Sequence, residues 1–236
     1  MIRDGIFKFL VATLAVCGGL SSPDALSGDT LSRRINAPPS GATKITIEPL
    51  AAPPDGARYR IVASQSRFTV RAFAAGLLSG FAHDHTIAIR DFTGEAAFTY
   101  VTVSPASLQM TIKADSLAVT DKISDSDRQK IQTTMRNEVL EVEKYPEIIL
   151  KSTNVVATRT GEGQYDATIS GDLTLHGVTR SVSIPTKLVF NADNMRARGE
   201  FSLRQTNYGI KPVSIAAGTI KVKDEVKFSF EIVARP

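Results

Sequence analysis

The residues of this chain with the most chemistry to offer are its three histidines, His83, His85 and His176. His83 and His85 stand two positions apart, so in an extended segment their imidazoles share one face while Asp84 points the other way. His176 lies in Thr174-Leu175-His176-Gly177, the tip of a hairpin by its pattern. If the two segments met, three imidazoles could form a zinc or copper site with an open position. The alternative is plainer: His176 caps its own turn through hydrogen bonds, and His83 and His85 order a loop. Arg180, four residues past His176, could pair with an anionic group such as a phosphate, or be a solvated strand arginine. Asp115, Asp121, Asp125 and Asp127 read as turn and helix-cap residues, not as a carboxylate pair. No Gly-x-Ser-x-Gly elbow occurs, which argues against a serine hydrolase.

The elements that must carry these residues are strands. In Gly171–Pro185, Leu173 and Leu175 fall on one face and Asp172, Thr174 and His176 on the other. Gly177 supplies the positive φ of a tight turn. Val178, Arg180, Val182 and Ile184 then alternate with Thr179, Ser181 and Ser183. The same period of two recurs at 58–63, 67–73, 108–114, 148–153, 164–170, 195–203 and 222–233. Strands at intervals of roughly ten residues, each with one apolar face, predict a closed antiparallel barrel. One stretch breaks the period. Ile131, Met135, Val139 and Val142 recur at helical spacing, Ser126 with Gln129 fits a capping box, and Pro146 stops the run. This predicts one amphipathic helix over about 125–142, across a barrel mouth or against its outside.

Composition fits such a domain: 236 residues, 42% hydrophobic and 22% charged. A net charge of +4, with no dense Lys/Arg block and few aromatics near the basic residues, argues against nucleic acid as a partner. The N-terminus has the three parts of a secretory signal: Arg3 and Lys8, the apolar run 9–16, then Cys17-Gly18-Gly19. We divide the chain into a signal at 1–25, a disordered Pro/Ala/Gly-rich tether at 26–57 and a folded domain at 58–236. Cys17, the lone cysteine, cannot form an internal disulfide. It either leaves with the signal or, as a lipobox cysteine, anchors a lipoprotein. Val16 is large for the residue before a lipobox cysteine.

Several fragments together resemble the YceI-like family of bacterial polyisoprenoid-binding proteins. They are 63–70 (ASQSRFTV), 91–94 (DFTG), 114–117 (ADSL), 142–148 (VEKYPEI), 171–180 (GDLTLHGVTR) and 207–210 (NYGI). The likeness spans about 58–235, and KYP with LTLHGVTR are its specific parts. It implies an extended eight-stranded antiparallel β-barrel, lipocalin-like, mainly β with a helix beside it. It implies an apolar cavity for an isoprenoid chain, such as a quinone tail or a prenyl phosphate, a periplasmic location and no established catalysis. The family often has an aspartate where Asn207 stands, which puts a charge role there in doubt.

An eight-stranded barrel is just wide enough for its own side chains or one small ligand. The expected lining is Phe68, Val70, Phe81, Ile87, Leu173, Leu175, Phe201, Phe228 and Phe230, with His83, His85, His176, Arg180 and Asn207 at the rim or headgroup. The imidazoles would then donate to a quinone carbonyl or a phosphate. Each isoprene unit would gain roughly 3–4 kcal/mol on burial. Lost motional entropy cancels much of that, so tail length does not set affinity. The reading is thus an exported lipid-binding protein and not an enzyme, partnered by an isoprenoid lipid and a membrane protein that delivers or receives it, with a homodimer as a further option. The rivals are a metal-binding protein or metal-dependent enzyme using His83, His85 and His176 with zinc or copper, and a structural or stress-response surface protein with a solid core.

Overall fold

A computed structural model describes residues 56–77, 83–99 and 106–236. The expected signal, Cys17, nearly all of the tether and Phe81 lie outside the described residues. The strands are β1 (Gly56–Ile61), β2 (Arg67–Ala75), β3 (His85–Ile89), β4 (Phe92–Thr99), β5 (Ala106–Lys113), β6 (Leu117–Val119), β7 (Glu147–Gly161), β8 (Gln164–Leu175), β9 (Val178–Phe190), β10 (Met195–Arg204), β11 (Ser214–Ile215) and β12 (Ile220–Arg235). β1 begins at Gly56, where Gly56 and Ala57 pair with Thr99 and Phe98, so the last two residues assigned to the tether are strand.

Three consecutive pairs of strands are the halves of single bent strands. β1 pairs with β4 while β2 pairs with β3, and β4 pairs with β5 while β3 pairs with β6, all antiparallel. Counted that way, the chain is an up-and-down meander: β1–β2, β3–β4, β5–β6, β7, β8, β9, β10, β12. It closes where β12 pairs with both β1 and β2. This is the closed antiparallel barrel expected from the alternation, with the eight strands that the family resemblance implies. The bend between β1 and β2 is held by Ser66, whose hydroxyl donates to the Val62 carbonyl at 2.8 Å and accepts from the Val233 amide at 2.9 Å.

Alternate side chains point inward and fill much of the tube. Leu173, Leu150 and Met110 form one cross-strand row, and Phe201, Phe228, Val70 and Ile87 another. At the end where β9 runs into β10, Phe190 packs on Phe98 at 4.8 Å and on Tyr165 at 5.6 Å, and Tyr59 stacks on Phe98 at 5.0 Å. Phe68 lies between Phe92, Phe228 and Phe230 with ring centroids 6.0–6.2 Å apart.

The helix α1 (Asp125–Thr134) starts where expected but is capped by Ser124, not by Ser126 with Gln129. The Asp127 amide donates to the Ser124 hydroxyl at 3.1 Å, an N-cap, and that hydroxyl donates to the Asp127 carboxylate at 2.7 Å. A π-helical turn, Met135–Val139, follows, and the helical run ends at Val139, before Val142. The apolar stripe is weaker than expected, because no residue of α1 itself is buried. Polar side chains hold the helix instead. β6 has β3 on one side only, and its other edge is satisfied by Gln132, which accepts from the Val119 amide at 2.9 Å and donates to the Leu117 carbonyl. Arg128 adds a bond to the Val119 carbonyl and Arg136 one to the Asp115 carbonyl. A helix thus covers a strand edge that would otherwise template association. No helix among the described residues is long and apolar enough to cross a membrane.

Candidate functional site

The barrel wall is unevenly sewn. The β9–β10 ladder runs from Phe190↔Met195 to Thr186↔Gly199 and stops. Beyond that fork, among the described residues, 178–185 of β9 pair only with β8, and 200–204 of β10 only with β12. Pro185 brings no N–H at the point where the ladder ends. Gly199 lets the backbones approach there: a Cβ at 199 would lie 2.4 Å from the Pro185 carbonyl oxygen and 2.6 Å from the Phe230 ring.

Behind this gap lies a second apolar cluster, separate from the main core. Val155, Ile169 and Ile184 are buried, and Ala106, Leu108, Leu150, Val182, Phe201 and Phe230 pack on them half-exposed. All belong to inward-facing positions, so the barrel presents to its own interior an apolar surface that it does not fully cover. Of the expected lining, Phe68, Val70, Leu173 and Leu175 are buried in the main core, with Ile87, Phe201, Phe228 and Phe230 half-buried against it. Phe201 and Phe230 border both clusters, and Phe201 stacks on Phe228 at 4.8 Å. A broad cleft of about 910 Å³ lies on the outer face across the fork, and its charges are largely paired, Lys187 with Asp166 and Arg198 with Glu231.

The polar groups gather where the β8–β9 hairpin turns. Arg180 occupies an inward-parity position opposite Leu173 yet remains exposed, and its Nε donates to the Asn207 carbonyl at 3.2 Å. The structure therefore brings together two residues expected at the rim. Because the backbone of Asn207 makes the contact, it does not depend on asparagine rather than aspartate there. Tyr208, next in the same 3-10 turn (Gln205–Tyr208), is 2% exposed; burial raises its pKa and the nearby Arg180 opposes that rise. Asp224 anchors the turn, accepting from the Thr206 amide and hydroxyl at 2.8 Å each.

The histidines take separate partners. His85 Nδ1 lies 2.6 Å from an Asp121 carboxylate oxygen, whose other oxygen accepts from the Thr86 amide at 2.9 Å. His176 Nε2 lies 2.6 Å from Glu141, its Nδ1 is 3.3 Å from the Tyr208 carbonyl, and its ring packs on Tyr145 at 4.3 Å. His83 is exposed. Among the described residues no group of three or more His, Cys, Asp or Glu is placed to hold a metal, so the three-imidazole zinc or copper set is not assembled. His85 opens β3 and His176 sits in the β8–β9 turn, two different elements, and each is held by a carboxylate of its own. His176 also does more than cap a turn: with φ of 52° beside Gly177 at 72°, it is itself half of the two-residue primed turn.

Sequence reasoning missed both carboxylates. From the sequence Asp121 reads as a turn residue and Glu141 carries no signal of its own. The available signal was their position: they flank the helical run, and a helix inserted between two barrel strands has to be fastened at its ends.

Residues 59–234 match the family model described as the YceI-like domain. A UPF0312 protein of Pseudomonas putida is 27% identical over 146 residues, 58% of this chain and 70% of that protein. A UPF0312 protein of Pseudomonas savastanoi is 28% identical over 154 residues, 62% and 72% respectively. Among solved structures, Burkholderia cenocepacia BcnA superposes with a TM-score of 0.58 at 16% identity, covering 73% of this chain and 98% of that one. A polyisoprenoid-binding domain from Saccharophagus degradans, implicated in plant cell wall breakdown, superposes at 0.51 with 13% identity, covering 75% and 97%. At such identities the likeness is one of fold.

Proposed function

Since the chain belongs to the YceI-like family, we propose that it is an exported carrier that shields one isoprenoid chain, a quinone or a prenyl phosphate, inside its barrel. The observation that carries this reading is the set of half-exposed, inward-facing apolar side chains, Leu108, Leu150, Val182, Phe201 and Phe230, packed on the buried Val155, Ile169 and Ile184. Covering apolar area yields about 25 cal/mol per Å², and a flexible, branched hydrocarbon is the ligand that can follow such a slot. The likeness to the polyisoprenoid-binding domain of Saccharophagus degradans supports the ligand class. The headgroup sits by Arg180, an exposed residue whose Nε donates to the Asn207 carbonyl. The signal-like N-terminus supports delivery to the periplasm, with a membrane protein as donor or acceptor.

The test is native mass spectrometry of delipidated protein mixed with geranylgeranyl phosphate and with a short-tailed ubiquinone. Retention of either as a one-to-one complex is expected, and Phe201→Asp should abolish it by placing a charge in the slot. Arg180→Gln should weaken the phosphate about tenfold or more and the quinone little. Retention of neither ligand by the wild-type barrel would overturn the proposal.

A further inference from the structure

We infer that the isoprenoid chain crosses the barrel wall sideways, between β9 and β10, and does not thread through either end; this rests on the carrier reading above. Three ways lead into the slot: the two ends of the barrel and the gap in its wall. One end is stopped by rings: Tyr59, Phe98, Tyr165 and Phe190 pack edge to edge and face to face, with Tyr59 and Phe98 almost fully buried. The other end is stopped by Met135, Leu140, Tyr208 and Ile210, all buried in the main core. The helical segment that supplies the first two is fastened on both sides, by Asp121 to His85 before it and by Glu141 to His176 after it. Opening that end means breaking two short polar contacts and unpacking a core.

The wall costs far less to open. Along residues 178–185 and 200–204 no ladder bond joins β9 to β10, so separating them breaks no backbone pairing. The lips of the gap are chemically suited to a hydrocarbon: Val182 and Ile184 on one side, Phe201 and Leu203 on the other, all at inward-facing positions. Three of these four also belong to the second apolar cluster, so the gap leads straight to the slot. Its far end is closed by two side-chain contacts to the Gln205–Tyr208 turn, Arg180 to the Asn207 carbonyl and His176 to the Tyr208 carbonyl, and its near end by the fork at Thr186 and Gly199. A chain sliding in sideways would bring its headgroup to rest beside Arg180, which is exposed at the far end of the gap. Lateral passage also lets a long tail leave a bilayer without being fed end-first through a tube.

The experiment staples the gap. Ser183→Cys and Ser202→Cys, both exposed, are joined by a short bis-maleimide in a Cys17→Ser background, with a second staple between Lys187→Cys and Arg198→Cys, register partners within the paired ladder, as control. Uptake and release of dansyl-tagged geranylgeranyl phosphate are followed by stopped flow. The gap staple should slow both rates about tenfold or more, leaving their ratio within about twofold, and the control staple should change neither. Arg180→Ala should speed release of the uncharged probe dansyl-geranylgeraniol, which needs no headgroup contact; this variant serves if the staple perturbs folding by circular dichroism. Unchanged rates in the stapled protein, or release of the alcohol unaffected in Arg180→Ala, would show that the chain uses an end. Failure of the unstapled wild type to bind either probe would instead remove the carrier reading, and lateral passage with it.

Discussion

His176 and Glu141 meet at 2.6 Å, and both hold their backbones in the left-handed region, with φ of 52° and 45°. Neither is glycine, so each pays conformational strain of order 1 kcal/mol that the surroundings must offset. For His176 the offset is the primed hairpin turn, which requires positive φ at both central positions. For Glu141 it is the need to leave a π-helical turn and reach back to the hairpin: Leu140 still bonds to Met135, Val142 bonds to Arg136, and the chain then runs to Tyr145, which covers Gly177 and His176. Two left-handed residues on separate elements thus fix where the helical segment rejoins the barrel.

Glu141 separates the backbone term from the side-chain term. Glu141→Ala removes the partner of His176 and keeps a Cβ at positive φ, and should cost about 1–3 kcal/mol. Glu141→Gly loses the same contact and relieves the backbone, so it should be about 1 kcal/mol more stable than the alanine variant. Urea denaturation of both, with unchanged m values, checks this. An alanine variant as stable as the glycine variant would mean that the left-handed conformation carries no strain.

Gln132 should matter more than a half-exposed helix glutamine ordinarily does. Its amide serves both polar groups of the β6 edge, at Val119 and Leu117. Gln132→Leu leaves a backbone donor and acceptor without their partners and should destabilise by about 1–3 kcal/mol. Hydrogen exchange at the Val119 amide should rise by more than the global loss of stability requires. The bared edge should also promote association at high concentration, read by light scattering. Exchange at Val119 no faster than at neighbouring strand amides would contradict the role given to the helix.

The barrel was legible because its signal is local: one apolar face per strand, repeated, is what β8 and β12 show residue by residue. The expected helix began in the right place for the same reason, since Ser124–Asp127 carry their capping chemistry in adjacent positions. What escaped notice was nonlocal. His85 is 36 residues from Asp121 and His176 is 35 from Glu141, separations at which spacing says nothing about contact. The three histidines invited a metal reading because residue types were visible and their carboxylate partners were not. The gap between β9 and β10 was hidden too, although Pro185 stood within an alternating strand and could have marked where a ladder loses a donor.

Gly199 is the residue on which the fork depends. Any Cβ there would meet the Pro185 carbonyl and the Phe230 ring. Phe230 is its cross-strand partner, so the ring occupies the space the glycine leaves. Gly199→Ala should destabilise by about 1–3 kcal/mol, and Phe230→Leu in the same chain should recover only part, because the carbonyl is backbone and cannot move aside. Thermal denaturation of the two single variants and the double variant measures the coupling. Full recovery in the double variant would show that the ring alone sets the constraint.

Asp224 gives the region around Arg180 and Tyr208 a defined acid limit. The Thr206 amide bonded to its carboxylate holds the Asp224 pKa below the usual aspartate range; desolvation opposes this less than that bond favours it, and the Thr206 hydroxyl and the charge of Arg204 add smaller lowering effects. A folded pKa lower than the unfolded one means that the carboxylate stabilises the folded turn fully above the ordinary aspartate pKa. That contribution fades as pH falls toward the depressed folded value. The turn Gln205–Tyr208 should therefore keep its protection at mildly acidic pH and lose it only below the usual carboxylate range. An NMR titration following the Thr206 amide and the Asp224 carboxyl carbon should show both moving together with a midpoint below that of an unstructured aspartate. Asp224→Asn, which cannot ionise, should erase the acid step and leave Thr206 less protected throughout. A midpoint at or above the ordinary value would show that the carboxylate does not hold the turn, and the seat of Arg180 on the Asn207 carbonyl would then need another anchor.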